Sequence, residues 1–267
     1  MYKIKLGKSG LSVPTMAVGC MRISNMAEKD VSALVDTALS SEVNFFDHAD
    51  IYGDGGSEVV FGKVISSISR ESIIIQDKCG IVPGKMYDFS YEHIISSVDG
   101  SLKRLGTEYI DVLLLHRPDA LVEPEEVAAA FDELERTGKV RHFGVSNMKP
   151  MQIELLKKCV KQPLVANQLQ VSAAHSSMIS NGLEVNMLTN GAIDRDGSVL
   201  DYCRLKDMTI QAWSPFQYGM IKGVFLQNND FSILNNKLAE IGEKYGVSAT
   251  TMATAWLLRH PANMQVL

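Results

Sequence analysis

The sequence predicts an α/β fold, a (β/α)8 barrel preceded by a β-hairpin, from three observations. Short apolar runs alternate with helix-period segments from end to end, the signature of βα units around a parallel sheet. The 267 residues match the roughly 250 that one such barrel takes. No GxGxxG turn follows any strand, so an open doubly wound sheet would lack its phosphate loop. The nearest stretch, Gly53-Asp54-Gly55-Gly56-Ser57-Glu58, carries two acids and reads as a turn into a helix capped at Ser57. No linker, repeat or composition shift divides the chain, so residues 1–267 are expected to form one domain.

The hairpin is expected from Ile4 and Leu6, a turn through Gly7-Lys8-Ser9-Gly10, then Leu11 and Val13. Barrel strands are expected at Met16–Gly19, Asn44–Asp47, Ile73–Lys78, Ile110–His116, Arg141–Ser146, Val165–Gln170, Thr209–Ser214 and Met264–Leu267. Between them, Ala27–Ser40 places Val31, Leu34, Val35 and Ala38 on one helical face. Ser90–Leu105 does the same with Ile94, Ile95, Val98 and Leu102, and Gly106 ends it. Pro124–Arg136 begins with proline in the first turn and stops before Gly138. Ser248–His260 has Ser248 as its N-cap and is halted by Pro261. Two stretches break the rhythm: Asn181–Gly197, polar and glycine-dotted, and Pro215–Asn229, which follows the seventh barrel strand.

Bulk properties exclude several function classes. A net charge of −5 argues against nucleic acid or an anionic membrane as partner. The first residues alternate like a strand and lack the apolar region of a signal peptide. No apolar stretch approaches the roughly 20 residues of a membrane helix. Cys20, Cys79, Cys159 and Cys203 lie far apart with no CxxC pair, so reduced thiols in a cytoplasmic protein are expected.

The chemistry sits where strands end. Val43-Asn44-Phe45-Phe46-Asp47, Ile73-Ile74-Ile75-Gln76-Asp77-Lys78 and Val112-Leu113-Leu114-Leu115-His116 each finish on a polar group, and Tyr52 follows the first closely. In a barrel the C-terminal strand ends carry the reacting groups. A phenol can donate a proton, an ammonium can ease that donation, a carboxylate can hold the ammonium, and an imidazole can orient a substrate oxygen. Each also has a plain structural reading: a cap acid, a buried aromatic, a paired lysine, a core histidine. Asp47, His48, Asp50 and His116 could ligate a metal, as in a barrel hydrolase. However, no HxH or HExxH pattern is present and Lys78 would repel a dication. No metal is expected. No GxSxG elbow supports a serine hydrolase.

Phe46-Asp47-His48-Ala49-Asp50-Ile51-Tyr52-Gly53, Gln76-Asp77-Lys78-Cys79-Gly80, Leu114-Leu115-His116-Arg117-Pro118-Asp119 and Gly144-Val145-Ser146-Asn147 resemble the aldo-keto reductase family. The likeness runs from the hairpin through Trp213-Ser214-Pro215 to Leu267. It implies an NADP(H)-dependent oxidoreductase acting on small carbonyl substrates, with a catalytic tetrad at Asp47, Tyr52, Lys78 and His116. It also implies that Ser146, Asn147 and Gln168 hold the nicotinamide carboxamide and that Trp213 stacks on the ring. Ser214 and Phe216 would then run beside the pyrophosphate, with Gly19 and Met21 near the cofactor. On this reading the charge of Lys78 draws the tyrosine pKa, ordinarily near 10, toward neutrality.

A potassium-channel β-subunit-like binding protein on the same barrel is the alternative reading. The resemblance further implies a last outer helix and a basic segment for the adenosine 2′-phosphate beyond Leu267. With neither in the sequence, weak binding and little preference between NADPH and NADH are expected. The loop Pro215–Asn229, with Phe216, Tyr218, Met220 and Phe225, is expected to wall an apolar pocket that favours apolar or aromatic aldehydes over sugars.

Overall fold

The computed structural model describes residues 1–267. Strand β1 (Lys3–Lys5) pairs antiparallel with β2 (Ser12–Pro14), Ile4 opposite Val13. Their turn holds Gly7 in left-handed backbone at φ 49°, where a Cβ would come within 2.2 Å of the Val165 carbonyl oxygen. Only glycine permits that approach. It seats the hairpin across the barrel floor, with Leu6 and Val13 buried against Phe45, Val112, Leu114 and Val165.

Strand and helix then alternate. The first half runs β3 (Val18–Gly19), α1 (Glu28–Ser40), β4 (Phe45–Asp47), α2 (Gly56–Ile65), β5 (Ile74–Cys79), a small hairpin of β6 (Ile81–Val82) and β7 (Met86–Tyr87), α3 (Tyr91–Leu105) and β8 (Ile110–Leu115). The second half runs α4 (Pro124–Arg136), β9 (Val140–Ser146), α5 (Pro150–Leu156), β10 (Leu164–Gln170), α6 (Ser177–Ser180), α7 (Val199–Leu205), β11 (Thr209–Trp213), α8 (Ser232–Tyr245), α9 (Ala249–Leu258) and β12 (Met264–Val266). No helix is long and apolar enough to cross a membrane.

Eight parallel strands form one sheet in the order β3-β4-β5-β8-β9-β10-β11-β12. Its two edges meet. The Ala17 amide donates to the Val266 carbonyl at 2.8 Å, and the Val266 amide to the Thr15 carbonyl at 2.9 Å. The sheet thus closes into a (β/α)8 barrel, as the sequence predicts. Closure also splits the expected first strand, Met16–Gly19: Met16 and Ala17 pair with Val266 of β12, and only Val18 and Gly19 pair with β4.

Most of the core lies between the sheet and α3 to α7. β8 is buried along its whole length, which is why Val112–Leu115 read as an apolar run; the buried Asp111 within it is paired with Arg70 at 2.6 Å. Helix α4 turns Val127, Ala130, Phe131 and Leu134 inward, and the Phe131 ring stacks on Phe143 at 4.1 Å. Phe131→Ala should therefore cost about 3–5 kcal/mol in equilibrium denaturation. A loss below about 1 kcal/mol would contradict this packing.

Two local expectations change. Helix α2 begins after Gly55, which adopts left-handed backbone at φ 83°. Ser57 lies inside the helix, buried, with no hydrogen-bond partner for its hydroxyl. The cap is therefore a glycine turn rather than Ser57. The stretch Pro215–Asn229 folds back on α8 and α9: Phe225 is fully buried against Leu238 and Ala253, with Phe216 and Tyr218 packed on the same cluster.

Candidate active site

β4, β5 and β8 are neighbours in the sheet, so their C-terminal ends deliver Asp47, Lys78 and His116 to one place. The chain leaving β4 stays attached to β5: the His48 amide donates to the Gln76 carbonyl at 2.8 Å and the Asp50 amide to the Lys78 carbonyl at 3.0 Å. A turn closed by the Tyr52 amide on the Ala49 carbonyl, 3.0 Å, then brings Tyr52 over the strand ends.

Lys78 is 1% exposed, and each of its three N–H groups has an acceptor. Its Nζ donates to Asp47 Oδ2 at 2.8 Å, the His48 carbonyl at 2.6 Å and Tyr52 Oη at 3.2 Å. A buried ammonium is stable only when paired and hydrogen-bonded in this way. Burial opposes its charge, but Asp47 and Tyr52 outweigh that and hold its pKa above the usual lysine value. His116 sits edge-on to Tyr52, with ring centroids 5.9 Å apart. Burial, helped by the charges of Lys78 and Arg117, pulls its pKa down to about 2, so the imidazole is neutral at any working pH.

For Tyr52 the balance differs from the sequence expectation. Burial raises the phenol's pKa above its ordinary value, and the opposing pull of Lys78 does not cancel it. Tyr52 is a neutral phenol at physiological pH, and Lys78 limits how far burial raises it.

The remaining expected residues form the rim beside this group. Ser146 ends β9, Gln168 lies in β10 and Trp213 ends β11. Asn147, in left-handed backbone at φ 58°, joins them. Its Nδ2 donates to Ser146 Oγ at 2.7 Å, and its Oδ1 accepts from Trp213 Nε1 at 3.1 Å. Gln168 Nε2 donates to Asp47 Oδ1 at 2.9 Å, so the rim connects directly to the Asp47–Lys78 pair. Gly19 and Met21 lie at the exposed end of β3, and a Cβ on Gly19 would meet nothing within 4 Å. Ser214 is in left-handed backbone at φ 48°. Phe216 packs back toward Phe225. His48 turns away from this group and packs its ring, tilted by 52°, on Phe61 at 4.5 Å between centroids.

Two features emerge only in the folded chain. Arg117, the residue after His116, is half-buried, and its guanidinium lies 5.8 Å over the Trp213 ring. Its one hydrogen bond goes to Met220 Sδ at 3.7 Å, and it makes no ion pair. It borders a cavity of about 300 Å³ shared with Asn147, Gln170, His175, Trp213 and Met220. Of the four loop residues expected to wall a pocket, Met220 alone lines this cavity, because Phe225 is spent in the loop's own core. The second feature is a set of glutamines, Gln76, Gln211 and Gln265, at fully buried strand positions. In the sequence Gln211 and Gln265 stand out as single glutamines within short apolar strands, whereas Gln76 merges with Asp77 and Lys78.

Known proteins share this arrangement of chain. The family model described as "Aldo/keto reductase family" matches residues 15–267. "Uncharacterized oxidoreductase YcsN" of Bacillus subtilis (strain 168) is 36% identical over 282 residues, covering 99% of this chain and 86% of the relative. A 6-dehydroglucose reductase of Agrobacterium fabrum is 34% identical over 278 residues, covering 99% of this chain and 86% of the relative. The crystal structure of the thermostable aldo-keto reductase Tm1743, in complex with the inhibitor epalrestat, matches with a TM-score of 0.79 and 26% identity over 100% of this chain and 88% of that one. With a family match over nearly its whole length and relatives above the level at which family is in doubt, the chain belongs to the aldo/keto reductase family.

Proposed function

We propose that the protein reduces aldehyde or ketone carbonyls to alcohols with NADP(H), and that Tyr52 supplies the proton. One observation carries the reading: the buried Lys78 ammonium touches Asp47 Oδ2 at 2.8 Å and Tyr52 Oη at 3.2 Å. The residues fit a nicotinamide. A half-exposed indole at Trp213 lies beside the amide and hydroxyl groups of Asn147, Ser146 and Gln168, a donor and acceptor set suited to a primary carboxamide. The bound cofactor would supply the hydride.

The chain's own residues do the rest. His116, neutral, donates a hydrogen bond to the carbonyl oxygen, where negative charge develops. Tyr52 passes its proton to that oxygen. Lys78 stabilises the phenolate left behind, and Asp47 keeps Lys78 in place. Trp213 fixes the plane in which the reacting carbon is approached. Steady-state turnover of an aldehyde panel with NADPH and with NADH tests the proposal. Loss of reduced cofactor matched by alcohol formed is expected. Tight cofactor binding with no turnover of any carbonyl would favour the regulatory-subunit reading.

The substrate side is more polar than the loop sequence suggests. A half-buried guanidinium with no carboxylate partner suits a substrate bearing oxygen groups near its carbonyl. The name of the Agrobacterium relative, a reductase of an oxidised sugar, points the same way. Arg117→Ala should raise KM about tenfold or more for a carbonyl carrying a carboxylate or hydroxyls, as loss of a charge-assisted hydrogen bond would. KM for benzaldehyde should barely move. Equal changes for both substrates would assign Arg117 to the cofactor or to the fold.

A further inference from the structure

The inside of this barrel carries a line of amides that ends on Asp47. Gln265 Nε2 donates to the Pro14 carbonyl at 2.8 Å, at the end of the floor hairpin. Gln211 Nε2 donates both to Gln265 Oε1 at 2.8 Å and to Gln76 Oε1 at 2.9 Å. Gln76 Nε2 donates to Asp47 Oδ1 at 2.6 Å. Gln168 Nε2 adds a second donor to the same oxygen at 2.9 Å and reaches Gln211 Oε1 at 3.4 Å. Gln76, Gln211 and Gln265 are fully buried.

The line has one consistent direction. Pro14 offers a carbonyl and Asp47 a carboxylate, and neither can donate. Gln265 must therefore turn its NH₂ to Pro14 and its oxygen to Gln211. The Gln211 NH₂ then has two oxygens to satisfy, one of them on Gln76, and this leaves the Gln76 NH₂ facing Asp47. Flipping any amide would set like against like and strand a buried polar group, which is costly. Barrel interiors are ordinarily filled by branched apolar side chains. An amide line in their place is stable only because each member is paired.

The consequence falls on the candidate site. Asp47 Oδ1 is held by two amides while Oδ2 accepts from Lys78 at 2.8 Å, so the carboxylate cannot turn about its own axis. We infer that Gln76, braced by Gln211 and Gln265, is a positioning residue that sets Asp47 and, through it, places the Lys78 ammonium against Tyr52. The inference rests on the proposed reduction for its kinetic consequence, but the geometry of Lys78 can be read without turnover.

The test compares Gln76→Met, Gln211→Met and Gln265→Met with the wild type, well below each unfolding midpoint. kcat should fall about tenfold or more in Gln76→Met, as a misplaced proton-donating group would cause, and progressively less in Gln211→Met and Gln265→Met. Binding of NADPH, followed by tryptophan fluorescence, should stay within about threefold. A generally loosened barrel would lower binding and turnover together, without that order.

Gln76→Glu gives a sharper signature. Its new carboxyl can donate to Asp47 only while protonated, and repulsion from the adjacent Asp47 carboxylate raises the pH at which that proton is lost. The kcat of this variant relative to wild type should climb as pH falls from about 9 to 5. Independently of activity, exchange of the Lys78 ammonium protons, observed by ¹⁵N-lysine NMR and assigned with Lys78→Met, should quicken about tenfold in Gln76→Met. Wild-type kcat and wild-type exchange in Gln76→Met, with a pH-independent ratio for Gln76→Glu, would overturn the inference. If the wild type reduces no carbonyl, the proposed function fails and the exchange measurement alone decides this one.

Discussion

Tyr52→Phe is expected to lower carbonyl reduction by roughly 10²–10⁴-fold, the range assigned to a positioned general acid, while NADPH binding stays close to wild type. The substitution is clean because the Tyr52 hydroxyl makes a single hydrogen bond, from Lys78 at 3.2 Å. Phenylalanine removes the proton and leaves the ring beside His116. Rate constants with saturating NADPH, compared with fluorescence titrations, separate chemistry from binding. Turnover above about a tenth of wild type would show that another group, or water, supplies the proton. The pH profile carries a second check. Tyr52 must be protonated to donate, and burial holds its pKa above the ordinary phenol value. His116, at about 2, does not titrate in the working range. Reduction should therefore be level from weakly acid to neutral pH and decline only in alkali.

Lys78→Met has the other large expected effect, and it acts on two properties at once. Without the ammonium, the phenolate formed at Tyr52 loses its stabilising charge, and kcat should fall by about 10²-fold or more. The same change leaves Asp47 Oδ2 and the His48 carbonyl, both now bonded to Lys78, without a partner. Removing one member of a buried ion pair typically costs about 3–5 kcal/mol. Lys78→Arg restores a charge but not three short N–H contacts from one atom, and it should be nearly as poor. Chemical denaturation with steady-state kinetics on the same samples reads both effects. Wild-type kcat in Lys78→Met would remove the electrostatic argument even with the fold intact.

The sequence displays the fold and the candidate tetrad for the same reason. Fully buried parallel strands appear as near-continuous apolar runs, and a polar residue that ends such a run, as Asp47 and His116 do, stands out. Which barrel strands are neighbours also follows from chain order, so the convergence of Asp47, Lys78 and His116 needs no tertiary information beyond the barrel itself. What stayed hidden depends on closure. Met16 and Ala17 leave the expected first strand because their partner, Val266, lies on β12 at the far end of the sequence. Gln76, Gln211 and Gln265 lie on three strands, and only the register of the closed sheet brings their amides into line. Phe225 reads as a pocket wall in the sequence because its partners, Leu238 and Ala253, belong to helices that follow the loop. In the sequence Arg117 is one residue of the Leu114–Asp119 motif, and its lack of an ion-pair partner is visible only in three dimensions.

The most direct test of the central claim follows the hydride itself. The wild-type protein would be incubated with a polar aldehyde and NADPH dideuterated at nicotinamide C4, and the product analysed by mass spectrometry and NMR. The account predicts an alcohol with one deuterium on the former carbonyl carbon, formed in step with NADP⁺, and loss of this product in Tyr52→Phe despite retained cofactor binding. Deuterium-free alcohol, or saturable NADPH binding with no alcohol from any aldehyde tried, would contradict it.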